Sequence, residues 1–253
     1  TSQSSLALSV QRLSSGLRVN SAKDDAAGLA IADRMNSQAK GFNVAIRNAN
    51  DGISMAQTAE SAMQAVTDNL QRMRELAVQS ANGTYTSGDR GNLDTEYQQL
   101  SAEINRVVSG TTFNGQSVLN GSGSTAFQVG AGTAATDQIT VQASSVSLSA
   151  VSGGGSVSGA SAASAAIGDI DKQLTALNTA RATWGAVQNR FSSVVDTLQV
   201  ASENAQAARG RIMDADFAQE TANMTRAQIL QQAGTAMVSQ ANSMPNNVLS
   251  LLR

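Results

Sequence analysis

The sequence predicts a mainly α protein: an elongated, segmented antiparallel coiled-coil bundle of long helices that carries a small β-hairpin insertion. Three observations support this. From Ile167 onward, Ile167, Ile170, Leu174, Leu177, Ala180, Trp184, Val187, Phe191, Val194, Leu198, Ala201, Ala205, Ala208 and Ile212 follow one another in steps of three or four, which is helix periodicity without a gap. The stretch has no proline, and at about 1.5 Å per residue a single helix over it is roughly 70 Å long, too long to bury inside a compact domain. Its steps average close to the 3.5-residue coiled-coil period, so partner helices are expected to wind beside it in a left-handed sense.

At the start of the chain, Leu6, Val10, Leu13 and Leu17 mark a short amphipathic helix that Gly16 and Asn20 weaken near its end. Asn20 to Asp25 reads as a connection and helix start, with Asp24 and Asp25 near the positive end of the helix dipole. A long ladder follows through Met35, Ala39, Phe42, Ile46, Ala49, Ile53, Ala56, Ala59, Met63, Val66, Leu70, Met73 and Ala77. The polar run from Ser80 to Gly91, with Gly83, Gly88 and Gly91, breaks the helix and reverses the chain. Leu93, Tyr97, Leu100, Ile104 and Val107 then form a shorter ladder, so two antiparallel helices are available to flank the long one.

Between Ser109 and Ala166 the character changes: glycines accumulate and Asp137 is the only charged residue. Phe127/Val129, Ile139/Val141 and Val146/Leu148 alternate at period two, and Asn114-Gly115 and Asn120-Gly121 are hairpin-turn dipeptides. One or two hairpins up to about Leu148, followed by a flexible segment, are expected. Three regions result: terminal helices at 1–22 and 222–253, a coiled-coil region at 23–108 and 160–221, and a hairpin and variable insertion at 109–159.

Met213 to Phe217 is a polar interruption, after which Ile229, Ala233, Met237, Ala241, Met244, Val248 and Leu251 make a final ladder, with Pro245 expected to kink or end its helix. The Leu6–Leu17 helix is the expected mate for this ladder but is about half its length. Part of the apolar face therefore has no partner within the chain, a pattern that points to assembly with other copies. Leu6, Val10, Leu13, Leu17, Ile229, Ala233, Met237, Met244, Val248 and Leu251 form the expected polymerisation seam.

Composition narrows the function. The chain has no histidine and no cysteine, which removes the usual zinc sites, Ser-His and Cys-His nucleophile pairs, histidine-ligated haem and disulfides. No catalytic residue, cofactor or metal ligand is predicted. A net charge of -2 gives no footprint for nucleic acid, and no apolar run is long enough to insert into a membrane. The polar opening Thr1-Ser2-Gln3-Ser4-Ser5 does not read as a signal peptide, so work outside the cell implies a route that needs no cleaved leader. Gly130 to Ala135 mimics a dinucleotide fingerprint, but the strand-like Gln138-Ile139-Thr140-Val141 follows instead of a helix, so turn glycines are the better reading. Asp214, Asp216 and Glu220 lack cation-loop spacing and read as linker and capping residues.

SSGLRVNSAKDDAAGLAIADRM (Ser14 to Met35), RNANDGISMAQTAE (Arg47 to Glu60), LQRMRELAVQSANG (Leu70 to Gly83), GAVQNRF (Gly185 to Phe191), ARGRIMDADFAQETANMTRAQILQQAG (Ala208 to Gly234) and NNVLSLLR (Asn246 to Arg253) closely resemble bacterial flagellin. The resemblance implies a filament subunit that self-assembles through its terminal helices for motility. It also implies unfolded, extracellular export through the flagellar type III apparatus, and an export chaperone, cap and junction proteins as partners. Flagellins usually begin with a further segment, about twenty residues, before the position matching Thr1, and that segment would pair with the Ile229–Leu251 ladder. Arg72, Leu76 and Glu96 match the positions through which flagellins are recognised by the Toll-like flagellin receptor of hosts. Leu76 lies off the Leu70/Met73/Ala77 seam and shares a face with Arg72, so it reads as an exposed anchor for a receptor or a neighbouring subunit. Two alternatives share the architecture: a hook-filament junction protein, and a flagellin-like cell-surface binding protein. The latter calls for a concave aromatic site, for which only Phe113 and Phe127 are available in the middle region.

Overall fold

The structure is a computed structural model that describes residues 2–120, 123–142 and 155–251, with side chains from 3 to 242. Its elements are α1 (Ser2–Ser15), α2 (Ala26–Ala81), α3 (Ser87–Gly110), β1 (Thr112–Phe113), β2 (Gln116–Ser117), β3 (Ser124–Gln128), a 3-10 turn (Ala135–Asp137), β4 (Gln138–Gln142), α4 (Ala160–Met213) and α5 (Phe217–Leu251). The contacts group them into two compact units, residues 41–200 and residues 1–40 with 201–253.

In the unit of residues 41–200, α2 and α4 run antiparallel. Gly52 lies against Phe191, Glu60 takes the Arg181 guanidinium at 2.7 Å, and Arg74 binds Asp171 at 2.8 Å, so one numbering rises as the other falls. α3 folds back antiparallel on α2, with Arg72 on Glu96 at 2.8 Å and Arg90 donating to the Ser80 carbonyl at 2.9 Å and the Asn82 carbonyl at 3.0 Å. Arg90 thereby satisfies carbonyls that the C-terminus of α2 leaves open. α3 starts earlier than its glycines suggest, because Thr86 and Asp89 form a reciprocal capping box; Gly88 and Gly91 lie inside the helix.

The core of this unit is one cluster that includes Met63, Leu70, Met73, Tyr97, Ile104, Ile170, Leu177, Trp184 and Phe191. The expected ladders of α2, α3 and α4 are buried or half-buried throughout. α2 also buries Gly52, Met55, Thr67, Leu76 and Ser80, because it is flanked on two sides and its covered face is wider than one seam.

Asn114 (φ 50) and Gly115 (φ 78) make the turn between β1 and β2 with both central residues left-handed, the geometry for which Asn-Gly is selected. β3 and β4 pair antiparallel with Phe127 opposite Ile139 and Thr125 opposite Val141. Between them, Gly130 and Gly132 lie close against the Asp137 carboxylate, where a Cβ would collide; the glycine run is a turn. The Phe127 ring meets Phe191 edge-on at 5.2 Å, and Asn48 donates to the Gln128 carbonyl at 2.9 Å, which seats the hairpin on the helices. Gly155 to Ser158 lead into α4 held by Gln98, Asp94 and Ser80, with Val157 fully buried. Gly121, Val146 and Leu148 lie outside the described residues.

In the unit of residues 1–40 and 201–253, α1 ends at Gly16 (φ 71), whose N–H donates to the Arg12 carbonyl at 2.8 Å. The following connection crosses to the end of α4: Leu17 bridges Asp214, and Arg18 N–H donates to the Met213 carbonyl at 2.6 Å. Asp24 closes the connection by accepting from Ser21 and Asn20 N–H, and these bonds hold its carboxyl below the usual range. Asp25 caps α2 through the Gly28 N–H at 2.8 Å. The buried cluster here is small: Val19, Ala32 and Met213. α5 continues past Pro245 to Leu251, so of the two effects expected of this proline, a kink or an end, the end is corrected.

Candidate functional site

α1 packs antiparallel on α5, and the contact is polar at its centre. Glu220, in the first turn of α5, is buried; its carboxylate accepts from Ser9 Oγ at 2.9 Å and Arg12 Nη1 at 2.9 Å. These bonds hold the Glu220 carboxyl below its ordinary value, led by the Arg12 hydrogen bond, against the opposing effect of burial. Asp216 caps α5 by accepting from the Ala218 and Gln219 N–H groups at 2.9 and 3.3 Å, as read from the sequence. Glu220 is neither linker nor cap, and that reading is corrected. The information was present in two distant places, but only the register of α1 on α5 brings them together.

The seam residues divide. Leu6, Leu13 and Leu17 are half-buried, whereas Val10 is 48% exposed because Ser9 occupies the inward position. On α5 the covered face runs through Glu220, Asn223, Ala227 and Gln231. Ile229 stands nine residues from Glu220, which at about 100° per residue puts it on the opposite side. The expectation that α1 mates with the Ile229 ladder is therefore corrected: a salt-bridged polar face took that place. Ile229 (59%), Ala233 and Met237 (70%) are exposed, as are Leu230 and Val238. Leu230 and Val238, with Gln3 and Gly234, line an open groove of about 710 Å³. Met244, Val248 and Leu251 lie outside the described side chains.

Arg72 and Glu96 are half-exposed and paired, with Glu75 also on Arg72 at 2.9 Å, as expected of a surface patch. Both carboxylates hold the Arg72 guanidinium above its ordinary value. Leu76 does not join them. It is 1% exposed and belongs to the core cluster, so its reading as an exposed anchor is corrected. α3 packs on α2 from the side that a single seam leaves bare, and Leu76 fills that second contact. The exposed apolar residue nearby is Val78, at 49%, beside Arg74 and Glu75.

Phe113 and Phe127 do come together, half-buried, in an open notch of about 360 Å³ with Met55 and Asp51. Among the described residues no group of acids could hold a metal ion, and no helix is long and apolar enough to cross a membrane.

Two family patterns match the chain: the bacterial flagellin N-terminal helical region over residues 1–124 and the bacterial flagellin C-terminal helical region over residues 167–252. A flagellin of Halalkalibacterium halodurans is 46% identical over 96% of this chain and 90% of its own length. The flagellar filament 33 kDa core protein of Treponema phagedenis is 44% identical over 96% and 91%. The crystal structure of Bacillus cereus flagellin superposes with a TM-score of 0.55 at 29% identity, over 60% of this chain and 88% of that one.

Proposed function

Because the chain belongs to the bacterial flagellin family and is a structural, non-enzymatic subunit of the extracellular flagellar filament, we propose that it self-assembles through its terminal segments, residues 1–22 and 222–253. The row Ile229, Ala233 and Met237 on α5 then makes the contact between copies. One observation supports this reading above the others: large apolar side chains stand exposed along a helix whose other face is already occupied by α1. Assembly buries them, and the area removed from water stabilises the polymer at about 25 cal/mol per Å².

The export route through the type III apparatus and the chaperone, cap and junction partners belong to the same proposal. A chain without cysteine has no disulfide to reduce before threading. Recognition by the Toll-like flagellin receptor is proposed on the Arg72–Glu96 patch, with Leu76 supporting it from beneath instead of touching the receptor. Electron microscopy and sedimentation of purified protein at rising concentration test the assembly reading. Filaments from the unaltered chain, lost in Ile229→Asp while the helical circular dichroism is kept, support it. Filaments from Ile229→Asp at the unaltered yield remove α5 from the interface, and short non-elongating caps transfer the chain to the junction class.

A further inference from the structure

α1 takes the face of α5 that carries an acid. That face holds Glu220 and Asn223 beside Met224, Ala227 and Gln231, whereas Ala218, Ala222, Ile229 and Ala233, with Thr225 and Arg226 among them, are exposed. Apolar burial alone does not choose between the two, since each offers aliphatic side chains to Leu6 and Leu13. The bridge between Leu17 and Asp214, with the Ala215 N–H on the Gly16 carbonyl at 3.0 Å, fixes where α1 ends beside the start of α5. These bonds lie ahead of the first turn of α5, so the rotation of one helix about the other rests on the side chains that meet above them. The polar ones are Ser9, Arg12 and Glu220.

The charges at this meeting are singular. Glu220 is the only acid in α5, Arg12 is the only charged residue in α1, and Glu220 is the only acidic or basic side chain among the buried described residues. The other charged groups near Glu220 are on or just before its own helix and are engaged: Arg226 donates to Asn223 Oδ1 at 3.2 Å, and Asp216 accepts from backbone N–H groups. If α1 rolled onto the opposite face, Ser9 and Arg12 would leave the only carboxylate that α5 offers, and Glu220 would lose the charge-assisted bonds that offset its burial.

We propose that Glu220 selects the face: it holds α1 on the polar side of α5 and so keeps the Ile229 side open for a second copy of this chain. The second half rests on the assembly reading above; the first does not.

The absence of native cysteine allows a direct test. Two pairs are built in the full chain, Ser5→Cys with Ala227→Cys, whose positions line one groove, and Ser5→Cys with Ile229→Cys. With Glu220 intact the first pair is expected to oxidise at least tenfold faster than the second. With Glu220→Ala, and with Arg12→Met, that ratio is expected to fall toward one as α1 samples both faces. An unchanged ratio overturns the proposal. So does slow closure of both pairs in Glu220→Ala, in Arg12→Met and in the milder Glu220→Gln alike, which would make the cluster an anchor without directional choice. Sedimentation of the same proteins separates the two halves. Unaltered cross-linking with normal filaments rejects face selection and leaves the assembly reading intact, whereas the expected cross-linking without any filaments does the reverse.

Discussion

Residues 41–200 and the terminal unit, residues 1–40 with 201–253, are both mainly helical, yet they treat apolar side chains in opposite ways. The first unit gathers Met63, Leu70, Tyr97, Ile170, Trp184 and Phe191 into a closed core. The second buries only Val19, Ala32 and Met213 as a cluster, while Leu8, Val10, Ile31, Phe217, Ile229, Leu230, Met237 and Val238 stand exposed. Its helix contact is instead organised around Ser9, Arg12 and Glu220. Where apolar surface is enclosed within the chain, packing decides the arrangement. Where apolar surface is reserved for neighbours, polar pairing has to decide it, since the apolar residues cannot serve both partners.

The largest effects are expected in the closed unit. Phe191 is fully buried, seated on Gly52 and edge-on to Phe127, so Phe191→Ala should cost about 3–5 kcal/mol by urea unfolding followed by circular dichroism. A cost below about 1 kcal/mol would mean that the three elements meeting there are not held by this ring. The same contact read from the other side gives a smaller effect. A Cβ on Gly52 would sit 2.6 Å from Phe191 Cζ, and Gly52→Ala should destabilise by about 1–3 kcal/mol despite its better helix propensity. A stabilising Gly52→Ala would show that the ring has room to withdraw.

Much of this contrast was legible in the residues. Every position of the ladder from Ile167 to Ile212 is at least half-buried, and Asn114-Gly115 makes the turn its dipeptide specifies. Periodicity tells which residues share a face but not how many neighbours the helix has, which is why Leu76 read as surface: α3 covers a second strip of α2. Nor does it weigh a polar face against an apolar one. The Ile229 ladder was visible, but its loss of α1 to Glu220 depends on a pairing between residues 211 positions apart. Gly88 and Gly91 read as breakers because the local signal of glycine is strong, whereas the capping box at Thr86 and Asp89 outweighs it.

Acid should separate the two units. The Glu220 carboxyl is held below its ordinary value of 4.5 in the folded chain, chiefly by Arg12. As pH falls the unfolded chain therefore takes up the proton first; the stabilisation is present above the ordinary value and is lost as pH drops through the folded one. As pH falls below that ordinary value, hydrogen-exchange protection in α1, corrected for the intrinsic rate at each pH, should fall before Trp184 fluorescence in the closed core changes. In that unit Asp89, Glu103 and Asp171 also titrate low, but they are solvent-exposed, and solvent screens their contribution. Simultaneous loss of both signals would show that the terminal pair has no separate acid-sensitive lock.

The smallest expected effect on the isolated chain falls on the large apolar residue with the highest fractional exposure among the described residues. Met237 is 70% exposed, so Met237→Ser removes almost no contact within one molecule, and its unfolding free energy should stay within about 0.5 kcal/mol of the unaltered protein. Assembly should respond quite differently, because in a filament each copy loses the same contact and the concentration needed to elongate rises accordingly. Measuring both quantities on one preparation gives the sharpest form of the contrast: Phe191→Ala weakens the monomer, whereas Met237→Ser leaves the monomer and weakens the polymer. A Met237→Ser chain that unfolds early would place this side chain under cover within its own molecule, and the division between enclosed and reserved apolar surface would then fail at its most exposed residue.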